Sequence, residues 1–324
     1  MNIQSISVVV PTKGCVNKCK ACVSCMHESP YESNFDMIQI RKRLKFAANN
    51  GVNSLIITGT GEPLQNIKFL KDFIEVLDKE GHPFPNVELQ TSGVMLLIDC
   101  SERTVKKLGV DKKYKNFLYL SYHNIDLLKR LGVNTISVSV WDIFYPGKNW
   151  DIVGAPENLR KLFIELFPFI KEQGFNLRLS LNMTKAYDDV YPSEILRKCK
   201  ELGADQVTFR KLYHSNDDSD QTKWVKENAC KNFTIENLNN YIVGESEMYA
   251  GDGFMIPTGK ILPGAGKPLY RLPFGPMAYS VNGMSIVIDN DCMSKEETDK
   301  LKYVILRENG KLYCRWDDEG SLIF

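Results

Sequence analysis

The feature that most constrains the fold of this chain is a regular alternation of short, β-branched apolar runs with helical patterns. The predicted strands cover residues 5–10, 54–58, 87–90, 135–140, 177–182 and 206–212. The predicted helices between them cover residues 36–49, 66–80, 125–131, 156–173 and 192–202. Residues 94–122 are harder to interpret, with 96–98 and 117–120 as candidate short strands. Strands that alternate with helices form parallel sheets with the helices outside.

Right-handed crossovers between six such strands predict an α/β fold, a partial parallel (β/α)6 barrel of the TIM type. The alternation stops after Tyr213, where a polar run begins at residues 214–220. We therefore predict a core domain at residues 1–213 and a C-terminal α+β extension at 214–324 that covers the barrel. Within the extension, Asn309 and Gly310 separate two apolar runs and predict a hairpin.

Composition and charge exclude several classes of protein. With 324 residues, 43% of them apolar, and a net charge of +1, the chain can build a large core and is neither disordered nor fibrous. Because positive and negative charges are nearly balanced, no net electrostatic field attracts the protein to nucleic acid or to an anionic membrane. A local basic patch that binds nucleic acid is not excluded. Nine cysteines, four of them within residues 15–25, do not form an evenly spread disulfide framework. No signal peptide is recognisable, so we expect a cytoplasmic protein.

The cysteines with the most informative spacing are Cys15, Cys19 and Cys22, a C-x3-C-x2-C triplet just after the first predicted strand. Three thiolates on one loop can hold three irons of a four-iron cluster and leave the fourth iron open. Buried core thiols are a poor alternative, because Asn17, Lys18 and Lys20 between the cysteines make the loop polar. A zinc site remains open as a second interpretation; it would use Cys19, Cys22, Cys25 and His27 in an interaction module.

A second motif, residues 59–63, follows the second predicted strand. Its glycines allow the backbone to approach a ligand closely, and Glu62 offers a carboxylate to an ammonium group. Alone, the motif is a weak signal and is more typical of a strand-to-helix turn with Pro63 at the first helical position. In a barrel of this kind, functional groups collect at the C-terminal ends of the strands, where both motifs lie.

With both motifs in place, the chain resembles the radical S-adenosylmethionine enzymes. The cysteine loop of that family matches the triplet, and its Gly-Gly-Glu-Pro turn is similar to Thr60-Gly61-Glu62-Pro63. Two positions depart from the family pattern. Thr60 replaces the first glycine, and Ala21 stands where many members carry an aromatic residue.

The resemblance implies two cofactors, a [4Fe-4S] cluster held by Cys15, Cys19 and Cys22, and S-adenosylmethionine bound to the open iron. Reductive cleavage of the sulfonium would give a 5'-deoxyadenosyl radical that removes hydrogen from a substrate. The cofactor-binding residues implied are Gly61 and Glu62 for the amino group, Ser139 and Asn182 for the ribose, with Ser137 as second choice, and Arg210. Arg210 would pair with the methionine carboxylate or an anionic substrate, or else form a surface ion pair.

The sequence says less about the substrate and the partners than about the cofactors. We expect a small or nucleotide-like molecule as substrate and an electron donor such as flavodoxin or ferredoxin, with no membrane partner. Modification of RNA or of a polypeptide is the alternative, in which Cys292 or Cys314 could carry a methyl group. Two further hypotheses concern a second cluster and aromatic stacking. The residues involved are Cys230, Cys292 and Cys314 for the cluster, and Trp141, Phe144, Tyr145 and Trp150 for stacking or loop packing.

Overall fold

The structure is a computed structural model of the chain. It describes residues 2–12, 14–22, 35–97, 124–154, 163–214, 217–244, 264–272, 277–287, 300–316 and 318–324. The predicted strand at 117–120 and the residues Cys25, His27 and Cys292 lie outside these ranges.

The described residues form one sheet, and its order is β11-β10-β1-β2-β3-β4-β5-β6-β9-β8-β7. The strands are β1 (Asn2–Val10), β2 (Ser54–Gly59), β3 (Asn86–Thr91), β4 (Thr135–Val140), β5 (Asn176–Asn182), β6 (Gln206–Arg210), β7 (Lys267–Arg271), β8 (Met277–Val281), β9 (Met284–Val287), β10 (Lys300–Leu306) and β11 (Leu312–Tyr313). Strands β1 to β6 lie side by side in chain order, and each pairs with the next in parallel. The predicted α/β fold with a parallel sheet is confirmed. The sheet is not closed, and the partial-barrel form stays a prediction.

Helices connect most of the parallel strands. They are α1 (Met37–Asn49), α2 (Ile67–Lys79), α3 (Val94–Leu97), α4 (124–130), α5 (Pro146–Val153), α6 (Phe163–Glu172), α7 (Pro192–Glu201), α8 (Asp220–Asn228) and α9 (Ile235–Val243). The candidate strand at 96–98 is wrong for residues 96 and 97, which belong to helix α3. In this helix, Val94, Met95 and Leu96 pack into the core. Within the described residues, the predicted helix at 156–173 corresponds to α6, which begins at Phe163. The preceding helix α5 ends at Gly154, which has a left-handed conformation.

The two faces of the parallel sheet differ in chemistry. On one face Leu177, Leu179 and Leu181 of β5 are fully buried in a core shared with the helices. The residues between them, such as Arg178 and Ser180, belong to the opposite face. Strand register places polar residues of neighbouring strands on that same side. We call it the polar face: Glu88, Gln90, Ser137, Ser139, Arg178, Ser180, Asn182, Gln206, Thr208 and Arg210.

An ion pair crosses the polar face. Arg178 of β5 donates to the carboxylate of Glu88, which is almost fully buried on β3. The Nε of Arg178 also donates to the side-chain oxygen of Gln206 on β6, at 2.7 Å. Polar side chains therefore join three strands on the polar face.

The C-terminal residues join the same sheet at both of its edges, which the sequence did not predict. Strand β10 pairs in parallel with β1, and β9 pairs in parallel with β6. The predicted hairpin is confirmed, because β10 and β11 are antiparallel and Gly310 has the positive φ that its turn requires. The division at residue 213 and the proposed cover over the barrel stay predictions.

Among the described residues, no helix has both the length and the hydropathy needed to cross a bilayer.

The difference between the faces predicts unequal effects of two neighbouring substitutions in β5 on the free energy of unfolding. Leu179→Ala leaves a cavity in the core and should lower the free energy of unfolding by about 2 to 5 kcal/mol. Ser180→Ala should cost little or stabilise the protein, because the hydroxyl is 2% exposed and has no hydrogen-bond partner in the described structure. Urea unfolding of both variants measures this. An equal loss in the two variants would contradict the assignment of the faces.

Candidate functional site

The carboxyl ends of β1 to β6 share one edge of the sheet, because these strands are parallel. The cysteine loop, residues 14–22, follows β1, and the turn at 60–62 follows β2. The turn at 91–93 follows β3, and Asn182 and Arg210 end β5 and β6. The topology therefore brings both sequence motifs to one edge.

The cysteine loop is held by neighbouring segments on several sides. The N–H of Val16 donates to the side chain of Gln65, at 2.7 Å. The N–H of Lys18 donates to the carbonyl of Val153, at 2.9 Å, in the last turn of α5, where carbonyls lack helical partners. Further contacts are Lys20 N–H to the Ile152 carbonyl, Asn66 to the Pro11 carbonyl and Gln221 to the Ala21 carbonyl. Hydrogen bonds to several other segments of the chain therefore hold the cysteine loop in place.

The three thiols of the loop influence one another electrostatically. Burial raises the pKa of Cys19 to about 12, and the nearby Cys22, Cys15 and Glu62 contribute to this shift. Burial also raises the pKa of Cys15, against a hydrogen bond from the N–H of Asn17. Without a metal these groups favour the protonated thiol, whereas coordination removes the proton. Three soft donors that interact electrostatically on one loop fit the ligand set of an iron-sulfur cluster.

The zinc interpretation also uses Cys25 and His27, which lie outside the described residues. Within the described part of the chain, no three His, Cys, Asp or Glu side chains are placed to hold a single metal ion. A cluster does not need that convergence, because its cysteines bind separate irons.

The carboxylate of Glu62 accepts three hydrogen bonds from the end of β3. The residue is 2% exposed; one carboxylate oxygen accepts from the Thr91 hydroxyl, at 2.7 Å. The other oxygen accepts from the N–H of Ser92 at 3.0 Å and from its hydroxyl at 2.9 Å. Burial raises the pKa of Glu62, and these three hydrogen bonds oppose the shift. The turn after β2 is therefore tied to the end of β3.

Asn17 extends this network into the cysteine loop. It lies between Cys15 and Cys19, is 8% exposed, and donates from its side-chain nitrogen to the Ser92 hydroxyl at 2.9 Å. Sequence reasoning gave neither Thr91 nor Ser92 a role, and it missed Asn17. Short polar side chains in turns have no spacing that marks them.

Gly61 brings the turn after β2 against the cysteine loop. A Cβ at this position would lie 2.3 Å from the Thr12 hydroxyl and 2.6 Å from the Gly14 carbonyl. No side chain fits there without moving one of the two segments. The predicted close backbone approach at Gly61 is therefore present, although here its partner is the cysteine loop.

The turn also has a partner from the far end of the chain. The Thr60 hydroxyl donates to the carboxylate of Glu308, which follows β10 and is 6% exposed. Nothing in the sequence spacing connects these two residues.

The remaining predicted cofactor residues lie on the polar face near the same edge. Ser139 is half-buried and pairs in register with Ser180, and Asn182 pairs with Arg210. The side chain of Asn182 donates to the Val140 carbonyl, at a long 3.4 Å. Ser137, the second choice, is buried one step further from the edge. The fold brings these residues together, and their roles stay predictions.

The aromatic residues after β4 are mostly structural. Trp150 is fully buried, Trp141 nearly so, and Trp141 packs against Trp224 of α8 with ring centres 6.1 Å apart. Phe144 packs against Tyr187, while Tyr145 is exposed. This favours the loop-packing interpretation for the tryptophans.

The cysteines considered for a second cluster are not brought together where they are described. The Cys230 thiol donates to the Thr184 carbonyl, at 2.7 Å, beyond β5. Burial raises the pKa of Cys230 to about 12. Cys314 directly follows β11, the edge strand at the other side of the sheet.

Comparison with known proteins adds independent information. Residues 4–108 match the family model described as a 4Fe-4S single cluster domain, a stretch that contains the cysteine loop, Glu62, Thr91 and Ser92. A search of curated proteins finds no match to the chain.

Several solved structures resemble the fold at low identity. One is SuiB of Streptococcus suis bound to S-adenosylmethionine, with 16% identity, a TM-score of 0.48, and coverage of 74% of this chain and 47% of SuiB. Another is HydG, a maturase of the [FeFe]-hydrogenase, with 12% identity, a TM-score of 0.46, and coverage of 74% and 48%. A third is anSMEcpe with bound AdoMet, with 14% identity, a TM-score of 0.44, and coverage of 67% and 54%. The matched region spans about half of each of these chains.

The packing at Gly61 predicts that an added methyl group disturbs the cluster. Gly61→Ala should reduce the iron content of anaerobically reconstituted protein well below four irons per chain, because the cysteine loop must shift. Gly147→Ala is the control, since nothing lies within 4 Å of a Cβ at that helical position. Iron and sulfide assays measure both variants. Full iron content in Gly61→Ala would contradict the proposed contact.

The triplet on its rigid loop, the Glu62 network beside it and the match to the cluster domain point the same way. Together they show that residues 4–108 are similar to a 4Fe-4S single cluster domain, with the three cysteines of the loop inside the matched stretch.

Proposed function

We propose that this protein cleaves S-adenosylmethionine reductively and uses the resulting radical to remove hydrogen from a small, polar or nucleotide-like substrate. The observation that carries the proposal is the cysteine loop itself. Its three thiols interact, and Asn17 links it through Ser92 to the buried Glu62.

The division of roles follows from position. Cys15, Cys19 and Cys22 would hold three irons, and Gly61 with Glu62 would face the amino group of S-adenosylmethionine. Ser139 and Asn182 would bind the ribose hydroxyls, and Arg210 the methionine carboxylate or an anionic substrate. Once bound, the cluster and S-adenosylmethionine supply an electron transfer that releases methionine and a 5'-deoxyadenosyl radical.

The protein's own contribution is to fix these groups before the reaction. The Glu62 carboxylate is held by three hydrogen bonds, so little reorganisation is needed when a cationic group binds. The segment contacts around the cysteine loop keep it in place in the same way. Orientation of this kind accounts for a large part of enzymatic rate acceleration.

The polar face supports a polar substrate. It presents hydroxyl and amide groups beside the proposed cofactor residues, and the charges of Glu88 and Arg178 offset each other. A compact molecule with several hydrogen-bonding groups suits such a surface better than an apolar one. The core residues 1–213 carry all the roles assigned above, and a flavodoxin or ferredoxin would supply the electron.

The reductive cleavage is directly testable. Anaerobic, reconstituted protein with dithionite and S-adenosylmethionine should release 5'-deoxyadenosine, measured by chromatography. Cys15→Ala should abolish the release and the brown colour, because one iron loses its ligand. Cys199→Ala, on the buried face of α7, should keep both. A colourless protein with one zinc that is indifferent to Cys15 would contradict the proposal.

The substrate class needs a separate experiment. Mass spectrometry of metabolites, RNA and peptides from cells with and without the protein should show a change among small polar molecules. A complementing copy with Cys15→Ala should fail to restore the change. A modified RNA nucleoside or peptide with unchanged metabolites would favour the alternative substrate class.

A further inference from the structure

We propose that the substrate carries a carboxylate group, and that Arg178 and Ser180 of β5 bind this group on the polar face. The inference rests on the proposed function, because it names the chemical class of the molecule that loses hydrogen. Neither residue is among those assigned to the cofactors.

Arg178 and Ser180 are neighbours on one face of one strand. Side chains alternate between the faces of a strand, so residues two apart lie on the same face, about 6.6 Å apart along it. Leu179 between them is fully buried in the core on the opposite face. Both polar side chains therefore belong to the polar face, at a separation that one small ligand can bridge.

The guanidinium of Arg178 is fixed in position but not saturated with hydrogen bonds. Nε and one Nη nitrogen donate to the side chain of Gln206, and the other Nη nitrogen donates to the carboxylate of Glu88. These bonds use three of the five N–H donors of a guanidinium, and the other two have no partner among the described residues. The side chain of Arg178 is 28% exposed and that of Glu88 only 3%, so the guanidinium is the accessible member of the ion pair.

The hydroxyl of Ser180 is a buried group that lacks a partner. The residue is 2% exposed, and its hydroxyl makes no hydrogen bond in the described structure. A buried polar group without a hydrogen bond is costly. The residues that pair with Ser180 in register, Ser139 on β4 and Thr208 on β6, also carry hydroxyls. A ligand that accepts from Ser180 would remove this cost.

A carboxylate matches the donors at this position. Its two oxygens can accept from guanidinium N–H groups and from a hydroxyl together, whereas a neutral amide offers only one oxygen. The carboxylate of Glu88 already offsets part of the charge of Arg178, so the position favours a single negative charge. A phosphate monoester carries a charge of about −1.5 to −2 near pH 7 and is less suitable. A cationic group would be repelled by Arg178.

The depth of this position on the polar face suits the substrate better than S-adenosylmethionine. Arg178 lies further from the carboxyl edge of the sheet than Ser139, Asn182 and Arg210, to which we assign cofactor roles. The cysteine loop lies at that edge. A substrate held by its carboxylate at Arg178 therefore leaves the edge itself to the cofactors.

Release of 5'-deoxyadenosine in the presence of metabolites tests the proposal. The probe is a low-mass extract of cells that naturally make the protein, added with dithionite and S-adenosylmethionine. The extract should raise the release above the rate without it. Conversion of the carboxylates in the extract to methylamides should remove this stimulation, whereas alkaline phosphatase treatment should preserve it. Extract carried through the amidation procedure without coupling reagent is the control.

Substitutions in β5 test whether this strand provides the binding groups. Ser180→Ala should raise the amount of extract needed for half-maximal stimulation about tenfold, because a hydrogen bond to a charged group is lost. Arg178→Lys keeps a positive charge beside Glu88 but lacks the planar fork, and should raise this amount about tenfold to a hundredfold. Ser193→Ala, at an exposed serine of α7, is the matched control and should respond like the unaltered protein. Urea unfolding shows whether each variant is folded.

Three results would overturn the inference. Stimulation that survives amidation, or that phosphatase treatment removes, would contradict the carboxylate class. An unchanged half-maximal amount in either folded variant of β5 would contradict the binding groups. The absence of any stimulation by the extract would contradict both. Failure of the unaltered, cluster-loaded protein to release 5'-deoxyadenosine under any of these conditions would instead overturn the proposed function.

Discussion

The arrangement of side chains at the carboxyl edge of the sheet depends on the hydrogen bonds to the buried carboxylate of Glu62. Burial alone would favour its neutral form, and hydrogen bonds from Thr91 and Ser92 favour the charged form. Because Ser92 also accepts from Asn17, the same carboxylate fixes the distance between the cysteine loop and the end of β3. Without it, three donors at the edge would lose their acceptor together, and such losses are costly in a buried network. The position of the thiols thus depends on a residue that need not touch iron.

The C-terminal strands show where sequence reasoning reached its limit for the fold. The alternation of strands and helices predicted β1 to β6 because each of these elements has a local pattern. The β10–β11 hairpin was predicted for the same reason, from the Asn309-Gly310 turn. The pairing of β10 with β1 joins residues such as Ile6 and Val304, which no local pattern connects. Parallel pairing has no tight turn to fix partner and register, so this edge could not be predicted.

A similar division separates the predicted from the missed parts of the site. Cys15, Cys19, Cys22 and Glu62 were singled out in the sequence because closely spaced thiols on one loop and a glycine-rich acidic turn each indicate a specific chemistry. The supporting residues Asn17, Thr91 and Ser92 were missed. Threonine, serine and asparagine are common in any turn, and only the order of the strands brings them to Glu62. Supporting residues of this kind depend on topology, whereas ligand motifs depend on spacing.

The polar face gives the strongest physical argument for a ligand on that side of the sheet. Parallel strands buried on both faces are near-continuous apolar runs, whereas β5 alternates leucine with Arg178, Ser180 and Asn182. Apolar side chains at the alternate positions could pack against each other and stabilise the sheet by about 25 cal/mol for each Å² removed from water. The chain instead keeps an ion pair between Glu88 and Arg178 there, and a buried serine hydroxyl without a partner in the described structure. The polar substrate proposed for this protein would supply the missing hydrogen bonds on binding, which would account for a surface that forgoes this stabilisation.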